Sequence, residues 1–216
     1  MLELLIVMAI LLVVSAAAVP NIMRVLAQIR VRSGADTIAG LMQQLRQQAV
    51  RDNKFYSGTS QVVGSTILAC VDLNYNGTCQ ATEPSVSLAG SMNWAAAPPS
   101  TALITCGPLG PSACPAGWTL GLNYIPEPQT VRPSYSARGL PCVNQANPAV
   151  PPNWNANNRC VQTDPVTTAP VGFLYVLQYT GTTGISYSAI AVTPAGRVTT
   201  WTYTGIDANG NAAWAR

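Results

Sequence analysis

The chain has 216 residues, enough for one globular domain plus an appendage. Charged side chains make up only 9% of it and histidine is absent, which removes the commonest general base and the commonest metal ligand together, so an enzyme is not expected. The net charge of +3 sits in residues 1–54, where six basic side chains face three acids, while the rest balances five against five; a neutral domain is poor at capturing nucleic acid by phosphate neutralisation.

From Met1 to Val19 only Glu3 and Ser15 interrupt an apolar run. Nineteen helical residues reach about 28 Å, close to one bilayer hydrocarbon core. A secretory signal would carry a basic start, whereas the first charge here is Glu3 and the first arginine is Arg24. From Asn21 the pattern becomes amphipathic: Val25, Ile29, Ile38, Leu41, Met42, Leu45 and Ala49 recur at three- and four-residue steps, with Arg24, Arg32, Gln43, Gln44 and Gln47 between them. The spacing predicts one helix of about fifty residues ending near Asp52-Asn53. Pro20 removes a backbone donor and is expected to kink or locally melt it, with Gly34 and Gly40 adding weaker flexibility. Residues 1–54 therefore form a helical segment, of which 1–20 is the part suited to a membrane, and 55–216 a separate β-rich globular domain.

Beyond Tyr56 the helical period stops. Gln61 to Leu73 reads as a strand and Thr119 to Ile125 as a weaker one. Val171–Thr180, Ile185–Thr193 and Arg197–Tyr203 read as a meander with Gly-rich turns. Asp207-Ala208-Asn209-Gly210 predicts a last turn before a short terminal strand. The fold class is thus α+β: a long N-terminal helix packed on an antiparallel sheet. Two proline-rich insertions, Trp94–Cys114 and Pro133–Pro170, read as long loops, ordered by the cysteines they contain. Trp118 and Trp154 are expected to plug local cores.

Cys70, Cys79, Cys106, Cys114, Cys142 and Cys160 form no CxxC pair and have no histidine to complete a zinc site. Disulfides in an oxidising compartment are the better reading. Of the 15 connectivities six cysteines allow, nearest-neighbour pairing (70–79, 106–114, 142–160) is favoured.

Asp72-Leu73-Asn74-Tyr75-Asn76-Gly77-Thr78-Cys79-Gln80-Ala81-Thr82-Glu83 matches D-x-N-x-N-G-x5-E. In such a loop Asp72, Asn74 and Asn76 offer side-chain oxygens, Thr78 its carbonyl, and Glu83 a bidentate carboxylate, the donor set of a calcium ion. The competing reading is a metal-free hairpin, since Asn76-Gly77 is a strong type I′ turn signal. Asn76-Gly77-Thr78 is also an N-glycosylation sequon.

An acid at the head of an apolar helix, then a proline, then an amphipathic half, resembles type IV pilins and type II secretion pseudopilins. Leu2-Glu3-Leu4-Leu5-Ile6-Val7-Met8-Ala9-Ile10 is similar to that family's cleavage-methylation signature, and Pro20 stands at the matching distance from Glu3. Ser33-Gly34-Ala35-Asp36 through Arg51-Asp52-Asn53, and Ala191-Val192-Thr193-Pro194-Ala195-Gly196-Arg197-Val198, resemble the FimT/GspH subgroup. The family keeps its glutamate two residues deeper, which implies two residues ahead of Met1 or a numbering that starts at an internal methionine.

The resemblance implies a mechanism. A prepilin peptidase trims a short leader, the helix waits in the inner membrane, and assembly machinery stacks subunits into an extracellular homopolymer with the helices at its centre. Glu3 would pair with the terminal amine of a neighbour and set the axial register, and a break at Pro20 would let the helix stretch. A structural filament subunit is the first reading, and a minor pilin or pseudopilin that primes assembly the second. A DNA-capturing pilin ranks below both, because Gly196-Arg197-Val198-Thr199 lacks the second arginine of the Gly-Arg-x-Arg element.

Overall fold

The computed structural model describes residues 2–88, 90–94, 122–124, 133–144, 160–162, 171–182, 184–206 and 212–215. Helix α1 spans Leu2–Arg51. It runs as α-helix through Pro20, so the local melting expected there does not occur. Proline lacks one backbone donor, and the helix continues on both sides of that position.

The end of α1 falls where the sequence places it. Lys54 donates its N–H to the Ala49 carbonyl (3.1 Å) and Asn53 to that of Val50 (3.3 Å), while Asn53 turns left-handed at φ 51°. This is the Schellman pattern, closed by asparagine in place of glycine.

Twelve strands are described, arranged in two sheets that both receive the second half of α1. The first sheet contains β1 (Tyr56–Val63), β2 (Thr66–Asp72), β3 (Ser85–Ser87), β6 (Ser134–Tyr135), β7 (Pro141–Asn144) and β8 (Cys160–Val161), in the order β3-β2-β1-β6-β7-β8. The second contains β4 (Met92–Trp94), β9 (Gly172–Gly181), β10 (Gly184–Val192), β11 (Val198–Ile206) and β12 (Ala212–Ala215), in the order β12-β11-β10-β9-β4. β5 (Leu122–Tyr124) lies parallel to β9, opposite Gly172 to Leu174, and every other pairing is antiparallel.

Three sequence expectations change here. The single strand from Gln61 to Leu73 is two strands folded back at Gly64-Ser65: Val63 pairs with Thr66, and Gly64 takes φ 65°. A glycine adopts that conformation without steric cost, so the turn fits where the residue composition alone reads as continuous strand. The insertion from Pro133 to Pro170 is not loop throughout, because β6 and β7 join it to β1 and extend the first sheet. One sheet becomes two, bridged where the Trp94 indole N–H donates to Ser60 Oγ at 3.1 Å. The expected turn at 207–210, Trp118 and Trp154 lie outside the described residues.

The main core forms between α1 and the sheets. Ala27, Val31, Ala35, Ile38, Leu41, Met42, Leu45 and Ala49 from the helix meet Phe173, Tyr175, Leu177 and Tyr179 of β9 with Ile190 and Val192 of β10. The strand residues alternate, as a period of two requires. Their neighbours Leu174, Val176, Ala189 and Ala191 form a second buried cluster on the other face, beside half-buried Tyr187, Trp201 and Trp214. Gly34 supplies the closest approach: a Cβ there would lie 2.6 Å from the sulfur of Met92 and 3.0 Å from a methyl of Leu177.

Candidate functional site: the exposed half of the long helix

The first half of α1 touches no core. Leu4, Ile6, Val7, Met8, Ile10, Leu11, Leu12, Val13, Val14 and Val19 are all exposed, Leu12 and Val13 at 71%. Consecutive residues cover every side of a helix, so the apolar surface is a full cylinder and not a stripe. The exposure continues through Ile22, Met23, Val25, Leu26 and Ile29. Val25 and Ile29 therefore do not belong to the buried face that their spacing suggests. The buried row starts instead with Ala27 and Val31, which project from the opposite side of the helix. The helix is long and apolar enough to be a membrane anchor or a signal sequence: its most apolar 18-residue stretch has a mean hydropathy of 2.4, and none of that stretch is buried. An all-round apolar helix is a transmembrane or buried-core pattern.

Glu3 is in the first turn of α1 and exposed. There its carboxylate complements the positive end of the helix dipole. Pro20 lies seventeen residues further along the same helix, about 26 Å away at the helical rise, so the two are not adjacent.

The motif loop, 72–83, joins β2 to β3 and is closed by its own polar groups. Asp72, 1% exposed, accepts N–H from Asn76 (3.1 Å) and Gly77 (2.7 Å). Asn74 Oδ1 accepts from Asn76 N–H (3.2 Å), and Asn76 Oδ1 from the N–H (2.8 Å) and hydroxyl (3.0 Å) of Thr78. Glu83, 6% exposed, takes Leu73 N–H on one oxygen and Gln80 N–H on the other, both at 3.0 Å. Charge-assisted bonds of this kind compensate two buried carboxylates. The type I′ alternative does not hold at Asn76-Gly77, because the positive φ angles are at Tyr75 (61°) and Gly77 (75°), whereas that turn needs adjacent ones.

The oxygens suited to calcium are the side-chain oxygens of Asp72, Asn74, Asn76 and Glu83 with the Thr78 carbonyl, and the first four already serve as acceptors within the loop. Among the described residues no three His, Cys, Asp or Glu side chains gather as a metal site.

The Cys70–Cys79 and Cys142–Cys160 disulfides form as nearest-neighbour pairing predicts; Cys106 and Cys114 lie outside the described residues. Cys70–Cys79 ties β2 to the middle of the motif loop. The Tyr75 hydroxyl then donates to the Phe55 carbonyl at 2.6 Å and its ring stacks on Tyr56, which fixes the loop against the end of α1. Tyr56 in turn donates to Asp52 at 3.1 Å. Burial first and then this bond raise its pKa to about 12.

Two helix arginines have roles that sequence spacing did not disclose. Arg30 donates to the Tyr179 hydroxyl (2.6 Å) and lies over the same ring, 5.7 Å from its centroid. Arg46 donates to the Gly196 carbonyl at 3.2 Å. Each partner is about 150 residues away in the chain, so no local pattern could have found them. No family model, no curated protein and no solved structure matches this chain.

Proposed function

We propose that this chain is a type IV pilin-like subunit of an extracellular filament. The helix anchors it in the membrane before assembly and polymerises it afterwards. The observation that carries this reading is the division of one continuous helix into an apolar half exposed on all sides and a half built into an α+β domain. Such a cylinder has two favourable environments, a bilayer and a bundle of identical helices. The sequence resemblance at Leu2–Ile10 supplies both in order. Disulfides on the domain support an oxidising location for it.

Glu3 is the residue that distinguishes a filament subunit from a simple anchor. A carboxylate in an apolar bundle requires an opposite charge, and removing one partner strands the other. Glu3→Ala is expected to leave the domain folded and membrane-bound while filament yield, measured by shearing and electron microscopy, falls by at least about tenfold. Filaments at the unmodified yield would show that Glu3 has no register role.

A priming minor pilin is the second reading. It is favoured by one contact: the two segments that resemble the FimT/GspH subgroup touch through Arg46 and Gly196. Immunogold labelling separates the readings, since a major subunit labels the whole fibre and a priming subunit only its tip.

A further inference from the structure

A cleft of 210 Å³ opens between α1 and the second sheet, lined by Arg24 and Gln28 of the helix, Gly184, Ile185 and Ser186 at the start of β10, and Tyr203, Thr204 and Gly205 near the end of β11. Arg24 and Gln28 are four residues apart and so share one helix face. Arg24 makes no hydrogen bond or ion pair among the described residues, unlike Arg30. No acid lines the cleft. Between Leu4 and Ala35 the helix carries Arg24, Arg30 and Arg32 and no acid at all. Asp207, the nearest acid along the strand segment, lies outside the described residues.

Depth gives this cation its meaning. Twenty residues from Leu4 to Met23 span about 30 Å, the thickness of a hydrocarbon core. Arg24 is the next residue. With that segment in a bilayer, the cleft stands at the headgroup layer, about 5 to 7 Å thick on each side. Tyr203 on its wall belongs to the residue type enriched at that boundary. Ile185, 51% exposed at the β9–β10 turn, offers an apolar contact beside it.

We propose that this cleft binds the phosphate headgroup of an anionic phospholipid, with Arg24 as the charge partner and Gln28 and Ser186 as polar neighbours. The inference rests on the membrane-inserted state proposed above. It adds that the globular domain is held against the bilayer surface and not merely tethered above it.

The test uses the full chain in detergent micelles with equal amounts of phosphatidylglycerol and phosphatidylcholine, with retained lipid counted by native mass spectrometry. Retention is expected to favour phosphatidylglycerol about fivefold, the ratio one basic residue near an anionic surface supplies. Arg24→Gln is expected to bring that ratio near one. Arg32→Gln removes the same charge from an exposed residue that does not line the cleft, and is expected to keep most of the preference.

Equal retention of both lipids by the unmodified chain, or equal losses in the two variants, would overturn the proposal. Displacement of the lipid by inorganic phosphate alone would reassign the cleft to a soluble anion and overturn the lipid assignment. Flotation with phosphatidylcholine vesicles after an alkaline wash tests the membrane reading separately. A chain that fails to float overturns that reading and this inference with it, whereas a chain that floats but shows no lipid preference overturns this inference alone.

Discussion

The two halves of α1 are one helix in two environments. Residues before Ala27 carry large side chains, Leu, Ile, Val and Met, and expose them. From Ala27 onward the buried row begins with three small residues, Ala27, Gly34 and Ala35, around Val31, and only then reaches Ile38, Leu41, Met42 and Leu45. Hydrophobicity alone therefore points to the wrong half as the core. What selects the second half is fit: small residues let the helix lie close to β4 and β9, and the polar residues between them give it a solvent face. The first half has no polar face, so no single domain surface can satisfy it. The contrast teaches that the first half is shaped for an environment and the second for a specific partner.

The largest effect that would break this contrast comes from matched leucines. Leu45→Ala, at a position 1% exposed, is expected to cost about 2 to 5 kcal/mol of domain stability. Leu12→Ala, at 71% exposure, is expected to stay within about 0.5 kcal/mol. Chemical denaturation of both variants in detergent provides the comparison, and similar losses would mean that the first half also contributes to the domain.

The two helix glycines sharpen the contrast within the second half. Gly34→Ala places a methyl against Met92 and Leu177 and is expected to destabilise by about 1 to 3 kcal/mol. Gly40→Ala meets nothing within 4 Å and is expected to stabilise by about 0.5 to 1 kcal/mol through helix propensity. Opposite signs in thermal melts would support close packing as the reason for Gly34.

The last effect is at the end of the helix and is confined to alkaline pH. The folded pKa of Tyr56 is raised from an ordinary 10.0 to about 12. The folded state therefore holds this proton more tightly than the unfolded one. Its stabilising contribution is complete below pH 10 and is lost as pH rises from 10 to 12. Tyr56→Phe is expected to make the alkaline loss of stability shallower over that interval, as read by denaturation midpoints at a series of pH values.

Much of this fold was legible because its signals are local. The helix end was readable from Asp52-Asn53, and the meander from β9 to β11 from Val-, Ile- and Thr-rich runs separated by turn residues. The pairings Cys70–Cys79 and Cys142–Cys160 followed from proximity in the chain. The β1–β2 turn was hidden because Gly64-Ser65 interrupts a run that otherwise keeps strand composition. β6 and β7 were hidden because they are two and four residues long and owe their pairing to β1, eighty residues earlier. Val25 and Ile29 misled because they are four residues apart, as two residues of one helix face are, yet the nine-residue step from Ile29 to Ile38 is half a turn out of phase and puts them opposite the buried row. The polar residues of the 72–83 loop were legible as a motif, read as calcium donors, yet their closure on the loop's own N–H groups and its turn type were not, because Tyr75 takes the left-handed conformation that asparagine more often adopts.

The continuity of α1 has a mechanical consequence. A pull on residues 4–26 enters the domain along the helix axis at Ala27. It is then resisted by a buried row extending to Ala49, about 33 Å at the helical rise. Tension is shared along that whole length as shear against two sheets instead of being concentrated at one joint. The Schellman closure, Tyr56 and the disulfide-tied loop form the terminal fastening at the far end, where such a load would arrive last.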